Sequence, residues 1–185
     1  MAFIAACVGA SLLAWLSPFL YVQLVFDPQA FAAGEVWRPC TAAFVHASPA
    51  HLVLNCVAAW TLGRKLEPLL GSRRLLGLSL AGVLASSAAV AWLSTGATGF
   101  SGVLLAWVGA CVPFGRQLGL DLGKTLLLNV VVSFLPGVSL AAHLGGFLAG
   151  VPLGTAHRES KWAPVMVVMV GVSAVALVLR VLITG

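Results

Sequence analysis

The stretch STGATGFSGVLLAW, residues 94–107, sets a glycine-framed serine at the head of an apolar run. Gly96 and Gly99 precede Ser101, Gly102 follows it, and the run continues to Phe114 before Gly115 and Arg116 end it. From Ser101 to Phe114 is 14 residues, about 21 Å of helix against a hydrocarbon core of about 30 Å. That comparison applies because the whole chain has membrane composition. Of its 185 residues 61% are hydrophobic and 8% charged, where soluble chains carry about 25% charged residues. The mean hydropathy is +1.07. A helix too short to span, anchored at one end by Arg116, must start below the other membrane surface. The link TGATG then dips in to meet it, and irregular backbone at that depth is tolerated only inside protein or along a wet cavity. The reading is an all-α integral membrane protein, a bundle around a short central helix with Ser101 on the floor of a cavity.

Seven apolar segments extend outward from this one, at about 3–26, 49–66, 73–95, 101–114, 122–136, 138–155 and 163–183. The first is too long for the apolar region of a signal peptide and reads as a retained helix. The length leaves no room for a separate soluble domain, so 1–185 reads as one membrane domain with a core of about 1–157 and an extra helix at about 163–183. Arg64, Lys65, Arg73, Arg74, Arg116, Lys124, Arg158 and Lys161 all fall in the same alternate set of connections. Basic loops stay cytoplasmic, so the N-terminus is inside and the C-terminus outside. The net charge of +5 is therefore a topology signal and not a nucleic-acid patch. Cys7, Cys40, Cys56 and Cys111 lack metal-ligand spacing, and no metal or organic cofactor is implied. A Cys40–Cys56 pairing stays open.

The sixth segment carries His143 in AAHLGGFLAG, and an intramembrane histidine is a functional hypothesis by default. His143 precedes Arg158 by the same 15 residues that separate Ser101 from Arg116, so the two lie at one depth, about 22 Å from the basic anchors. Gly102, Ala106 and Gly109 on one helix and Gly146 and Gly150 on the other let the backbones approach closely. A level serine and histidine form a nucleophile–base pair. No carboxylate is placed to orient the histidine, so a dyad is expected rather than a triad. In HASPAHLVLN, His51 and Asn55 share a helix face near the same depth and, with the Ser101 N–H, offer an oxyanion hole. His46 sits before that helix, at the outer rim. Each feature also has a plainer reading: Ser101 as a helix N-cap, His143 as a structural histidine, His51 and Asn55 as interhelical glue, Trp37 as an interfacial aromatic.

The motifs together resemble the rhomboid family of intramembrane serine proteases. The matching residues are Trp37 and Arg38 in the first outer loop; His46, His51 and Asn55 in a His–x4–His–x3–Asn pattern; Gly99, Ser101 and Gly102 in GFSG; and His143 and Gly146 in AHLGG. Glu67 stands where the family commonly keeps a structural glutamate. The resemblance covers almost the whole chain and implies a six-helix bundle plus one C-terminal transmembrane helix. It makes Ser101 the nucleophile and His143 the general base, with His51, Asn55 and the Ser101 N–H holding the oxyanion. Trp37 and Arg38 would brace the outer loop and His46 the local hydrogen bonds. Two features depart from the family pattern. Leu105 occupies a position that is often aromatic, and the link between Ser101 and His143 is compact.

The expected activity is endoproteolysis of single-pass transmembrane proteins near the outer membrane face, with small or helix-weakening residues at the cut. The partners are such substrates and the lipid bilayer, not nucleic acid, and the oligomeric state is not specified. Compactness and topology point to a bacterial plasma membrane. Rival readings are a rhomboid-like protein that binds membrane clients without cutting, a rhomboid specialised for C-terminal sorting signals, and a small transporter. No inverted repeat or acidic relay supports the transporter.

Overall fold

The computed structural model describes residues 2–93, 96–132 and 138–184. In chain order the helices are α1 (Ala2–Leu16), α2 (Pro18–Leu24), α3 (Pro28–Ala32), α4 (Arg38–Ala42), α5 (Pro49–Leu70), α6 (Ser72–Leu93), α7 (Ser101–Ala110), α8 (Leu122–Val132), α9 (Leu140–Arg158) and α10 (Trp162–Thr184). A 3-10 turn, Val112–Phe114, follows α7. There is no β-strand among the described residues, only an isolated antiparallel bridge between Phe26 and Ala97.

Local chemistry sets the helix starts. Ser48 caps α5 by accepting from the His51 N–H at 3.2 Å, with Pro49 in the first turn. Ser139 caps α9 by accepting from the Ala142 N–H at 3.2 Å. Asp27 caps α3, taking N–H bonds from Gln29 at 2.7 Å and Ala30 at 3.0 Å. Side-chain caps with proline at the first position are strong start signals.

Four boundaries differ from the sequence expectation. The first apolar run is not one helix: it breaks at Ser17, which caps α2 ahead of Pro18, because proline lacks the N–H that would continue α1. The polar stretch after it folds into the short helices α3 and α4. The helix α5 runs through Pro68 to Leu70 and stops at Gly71, whose φ is +78°. The helix α7 ends at Ala110, four residues before Phe114, since Pro113 disfavours α-helix at the residue before it. The expected ends of the third and fifth segments, 94–95 and 133–136, and Thr95 of the glycine-rich link lie outside the described residues.

Among the described residues, Ser72–Leu93 and Trp162–Thr184 are long and apolar enough to cross a membrane. Polarity is inverted relative to a soluble protein. Ser11, Arg38, His46, Asn55, Ser79, Ser86, Ser87 and His143 are buried, while Leu13, Leu54, Leu148, Val167 and Leu182 are exposed. Water would penalise that outer surface; lipid does not.

The helix α7 is the axis of the bundle, with every residue from Gly102 to Ala110 buried. Its closest neighbour is α9, followed by α6. Glycines set that contact. A Cβ on Gly146 would overlap the Gly102 carbonyl oxygen, one on Gly150 the Ala106 oxygen, and one on Gly154 the Ala110 oxygen. Gly145, on the neighbouring face, packs against the Ala85 backbone of α6. The small-residue pairing read from the sequence thus brings these backbones into contact. Trp107 fills the inner half of α7, donating Nε1–H to Ser79 Oγ at 3.0 Å.

Arg38 organises the first connection. It is 3% exposed, and its guanidinium donates to the Val22 and Val25 carbonyls at 2.6 and 2.7 Å and to Glu35 at 2.7 Å. Removing one partner of a fully buried ion pair costs about 3–5 kcal/mol. Glu35 is 29% exposed, so Arg38→Met is expected to cost roughly 2–3 kcal/mol, with Arg38→Lys recovering part of it. Thermal melts in neutral detergent check this. A variant melting with the parent would show that the loop is held otherwise.

Candidate active site

Ser101 is the first residue of α7. The N-cap is Phe100, with no side-chain capping bond, so the plain N-cap reading of Ser101 does not describe this helix start. The Ser101 side chain makes no hydrogen bond among the described residues and is half-buried. The opening N–H groups of a helix have no intrahelical acceptor, so the Ser101 N–H points out of α7 as a ready donor.

The segment before Ser101 is tied down on every side. Phe26 and Ala97 exchange backbone bonds, each at 3.0 Å, the Thr98 hydroxyl donates to the Val45 carbonyl, and the Gly99 N–H donates to the Ala42 carbonyl at 2.8 Å. Phe100 is buried among Phe3, Phe44 and Trp107, with ring centroids 5.3, 6.1 and 5.7 Å away. This is irregular backbone satisfied inside protein, the condition for such a segment at membrane depth.

Gly99 has a φ of +99°, and a Cβ there would lie 2.7 Å from His51 Cε1 and 2.9 Å from Nε2. Gly99→Ala therefore strains the backbone by about 1–3 kcal/mol and displaces the His51 ring. Gly34, at φ +104°, has open space around it and isolates the strain. Gly99→Ala is expected to melt below Gly34→Ala, because it adds the collision with the His51 ring to the backbone strain that both share. Equal melting temperatures in the two variants would show that the His51 ring moves aside without cost.

His46, expected at the outer rim, is completely buried. The Phe100 N–H donates to its Nε2 at 3.3 Å, so the neutral ring carries its proton on Nδ1. That proton points to Ser11 Oγ at 3.1 Å, and the Ser11 hydroxyl donates to the Phe44 carbonyl at 3.2 Å. Trp15 Nε1–H donates to the His46 carbonyl at 2.8 Å. Burial, with His51 beside it, pushes the His46 pKa down to about 4, which keeps the ring neutral and this relay intact. His46 and His51 meet edge to face, with centroids 5.1 Å apart.

Asn55 is buried, and its Nδ2 donates to the His51 carbonyl at 2.9 Å. The amide keeps a second N–H, and its Oδ1 has no hydrogen-bond partner among the described residues. His143 is buried on α9, on the stripe continued by Gly146, Gly150 and Gly154 that faces α7. Gly102 sits against Gly146, and a Cβ on Gly102 would lie 3.4 Å from the Ala142 oxygen. Ser101 is thereby level with the turn that carries His143. Ser86 fixes that turn, donating to the Ala142 carbonyl at 2.9 Å.

A cleft with about 30 Å³ of water-accessible space is walled by Phe26, Ala42, Ser86, Gly99, Ser101 and Gly102, room for about two waters. Asn55, His51 and His143 are not among its wall residues. Trp37 is exposed and donates Nε1–H to the Gln23 carbonyl at 3.2 Å. Glu67 is exposed at the far end of α5 and accepts from the Ser72 hydroxyl at 2.7 Å. Leu105 is buried in the core, and all four cysteines are free. No group of metal-ligating side chains occurs among the described residues.

A family model of the rhomboid domain matches residues 33–160. The chain belongs to the rhomboid family. Among curated rhomboid relatives, it is 30% identical over 129 residues to the rhomboid protease GluP of Bacillus subtilis (strain 168), covering 64% of this chain and 25% of that protein. It is 31% identical over 156 residues to rhomboid-like protease 3 of Toxoplasma gondii, covering 74% and 59%. It is 32% identical over 140 residues to the rhomboid protease GlpG of Serratia proteamaculans (strain 568), covering 67% and 50%. The chain thus spans between a quarter and three-fifths of these rhomboid relatives. Rhomboid membership makes it an integral membrane protein of an intramembrane protease family.

Sequence reading missed several rhomboid site supports: Ser11 and Trp15, which hold His46; Ser86, which holds the His143 turn; and Glu35, which pairs with Arg38. Ser11 and Trp15 lie four apart on one face of an otherwise apolar helix, and that pair was the available signal.

Proposed function

We propose that this chain is an intramembrane serine endopeptidase with a Ser101–His143 dyad. The observation that carries the reading is the placement of Ser101: first in a buried helix, unengaged on a cleft wall, level with the α9 turn bearing His143. Ser101 Oγ attacks the scissile carbonyl carbon while His143 takes its proton. The oxyanion is met by the Ser101 N–H, the second Asn55 amide proton and His51. His143 then protonates the leaving amine, and water hydrolyses the acyl-enzyme by the reverse sequence. His46, Gly99 and Gly102 position these groups, Trp37 and Arg38 brace the first connection, and Glu67 has a structural role at the far end of α5.

The arrangement we assign is one domain over 1–185. It has a six-span core, α1 with α2, then α5, α6, α7, α8 and α9, and α10 is the added span. Basic residues at the inner ends put the N-terminus in the cytoplasm and the C-terminus outside, in a bacterial plasma membrane. Substrates are single-pass proteins whose helix ends unwind near the outer face, because a closed helix hides its amides from the nucleophile.

Covalent labelling by a fluorophosphonate tests the dyad. The parent is expected to label and Ser101→Ala and His143→Ala are not. A folded parent that stays unlabelled yet captures transmembrane clients would transfer the assignment to a non-cleaving binder. A Ser101→Ala trap that retains only proteins with C-terminal sorting signals would narrow the substrate class.

A further inference from the structure

A cavity much larger than the Ser101 cleft lies at the other end of α7. It holds about 650 Å³ between the 3-10 turn, the start of α8 and the end of α9, with Arg116 and Arg158 in its wall beside Phe114, Leu120 and Leu122. Arg158 spends one donor on the Pro113 carbonyl, at 3.3 Å, and a guanidinium has five. Neither arginine has a carboxylate partner among the described residues. The nearby acids are taken: Asp121 pairs with Lys124 at 3.2 Å and Glu159 with Lys161 at 3.1 Å. Arg74 adds charge at this end, bonding His157 Nδ1 at 2.9 Å.

We propose that this cavity binds a phosphate group, with Arg116 and Arg158 as its two clamps. Guanidinium geometry matches phosphate oxygens. The combination of basic side chains with an apolar wall in the membrane-facing bundle fits the headgroup of an anionic phospholipid, with its acyl chains along Phe114 and Leu122. The site is separate from the proteolytic reading, and its test needs no hydrolysis.

The parent, the Arg116→Gln/Arg158→Gln double variant and an Arg73→Gln control are reconstituted with equal phosphatidylcholine and phosphatidylglycerol. Lipid retained after extraction is then read by native mass spectrometry. The parent and control are expected to keep phosphatidylglycerol, and the double variant to lose it by roughly tenfold or more, the effect of one charge-assisted contact. A second arm measures the melting temperature in lipid-free neutral detergent with inorganic phosphate or chloride at matched ionic strength. Selective lipid retention identifies a lipid headgroup. A phosphate-dependent rise in the parent alone, without lipid retention, identifies a free anion at the same clamps. Equal loss in the Arg73→Gln control, retention in the double variant, or no response in either arm overturns the site. Both arginines are exposed, so the double variant is expected to melt with the parent in chloride, which separates a lost site from a lost fold.

Discussion

Alanine at Ser101 is expected to lower kcat/KM on a single-span transmembrane substrate by at least roughly 10⁴-fold, and alanine at His143 by a similar factor. The double variant should be no worse than either alone. A nucleophile without its base, or a base without its nucleophile, leaves the same residual contribution from binding and the oxyanion donors. The thermal behaviour should differ between the two. Ser101 is half-buried and makes no side-chain hydrogen bond among the described residues, so its alanine variant should melt with the parent. His143 is buried on the α7-facing stripe, so its variant should lose some stability too. Hydrolysis of a fluorogenic substrate in proteoliposomes, read alongside melts, checks both. Multiplying losses in the double variant would mean that the two residues act independently, which a dyad does not allow.

Gly146→Val is expected to prevent assembly of the native bundle. Even the Cβ of alanine would overlap the Gly102 carbonyl oxygen, and its other near neighbours are the Gly102 carbonyl carbon at 2.9 Å and Ser86 Oγ at 3.0 Å. The obstacle is backbone, so no rotamer relieves it. Overpacking a core costs about 1–3 kcal/mol when side chains can move; here two helices must separate. Gly146→Ala should lose at least about 3 kcal/mol, a fall of roughly 6–12 °C in melting temperature for a chain of this size. At Gly171 in α10 and Gly9 in α1 an added Cβ would meet nothing within 4 Å, and alanine there should be neutral or stabilising by about 0.4–1 kcal/mol. A Gly146→Ala protein that melts like Gly171→Ala would show that α7 and α9 are not held at backbone contact.

Much of this architecture is readable in the sequence because membrane proteins write part of their packing in residue size. Gly102, Ala106, Gly146 and Gly150 are small at helical spacing, and the structure joins those residues. The short length of the Ser101 helix is likewise visible, though its end depends on Pro113. Ser17–Pro18 carried a readable break inside the first apolar run, but continuous hydropathy masked it. The inward placement of His46 was not legible, because it follows from three distant partners, Phe100, Ser11 and Trp15. Arg38 resisted reading for a similar reason. Its burial depends on the carbonyls of Val22 and Val25 at the end of α2, which carry no side-chain signature.

The glycine face of α9 also bears on the order in which the bundle assembles. The segments α6 and α7 leave the ribosome before α9, yet their Ser86 and Gly102 surfaces are completed only when α9 slots against both. Until then Ser86 Oγ lacks its Ala142 acceptor and the Gly102 backbone lacks its α9 neighbour. In the proposed dyad the nascent chain carries Ser101 before His143, so the pair is complete only after α9 has inserted. A product stalled before α9 would leave those surfaces uncovered and would lack the second member of the proposed dyad.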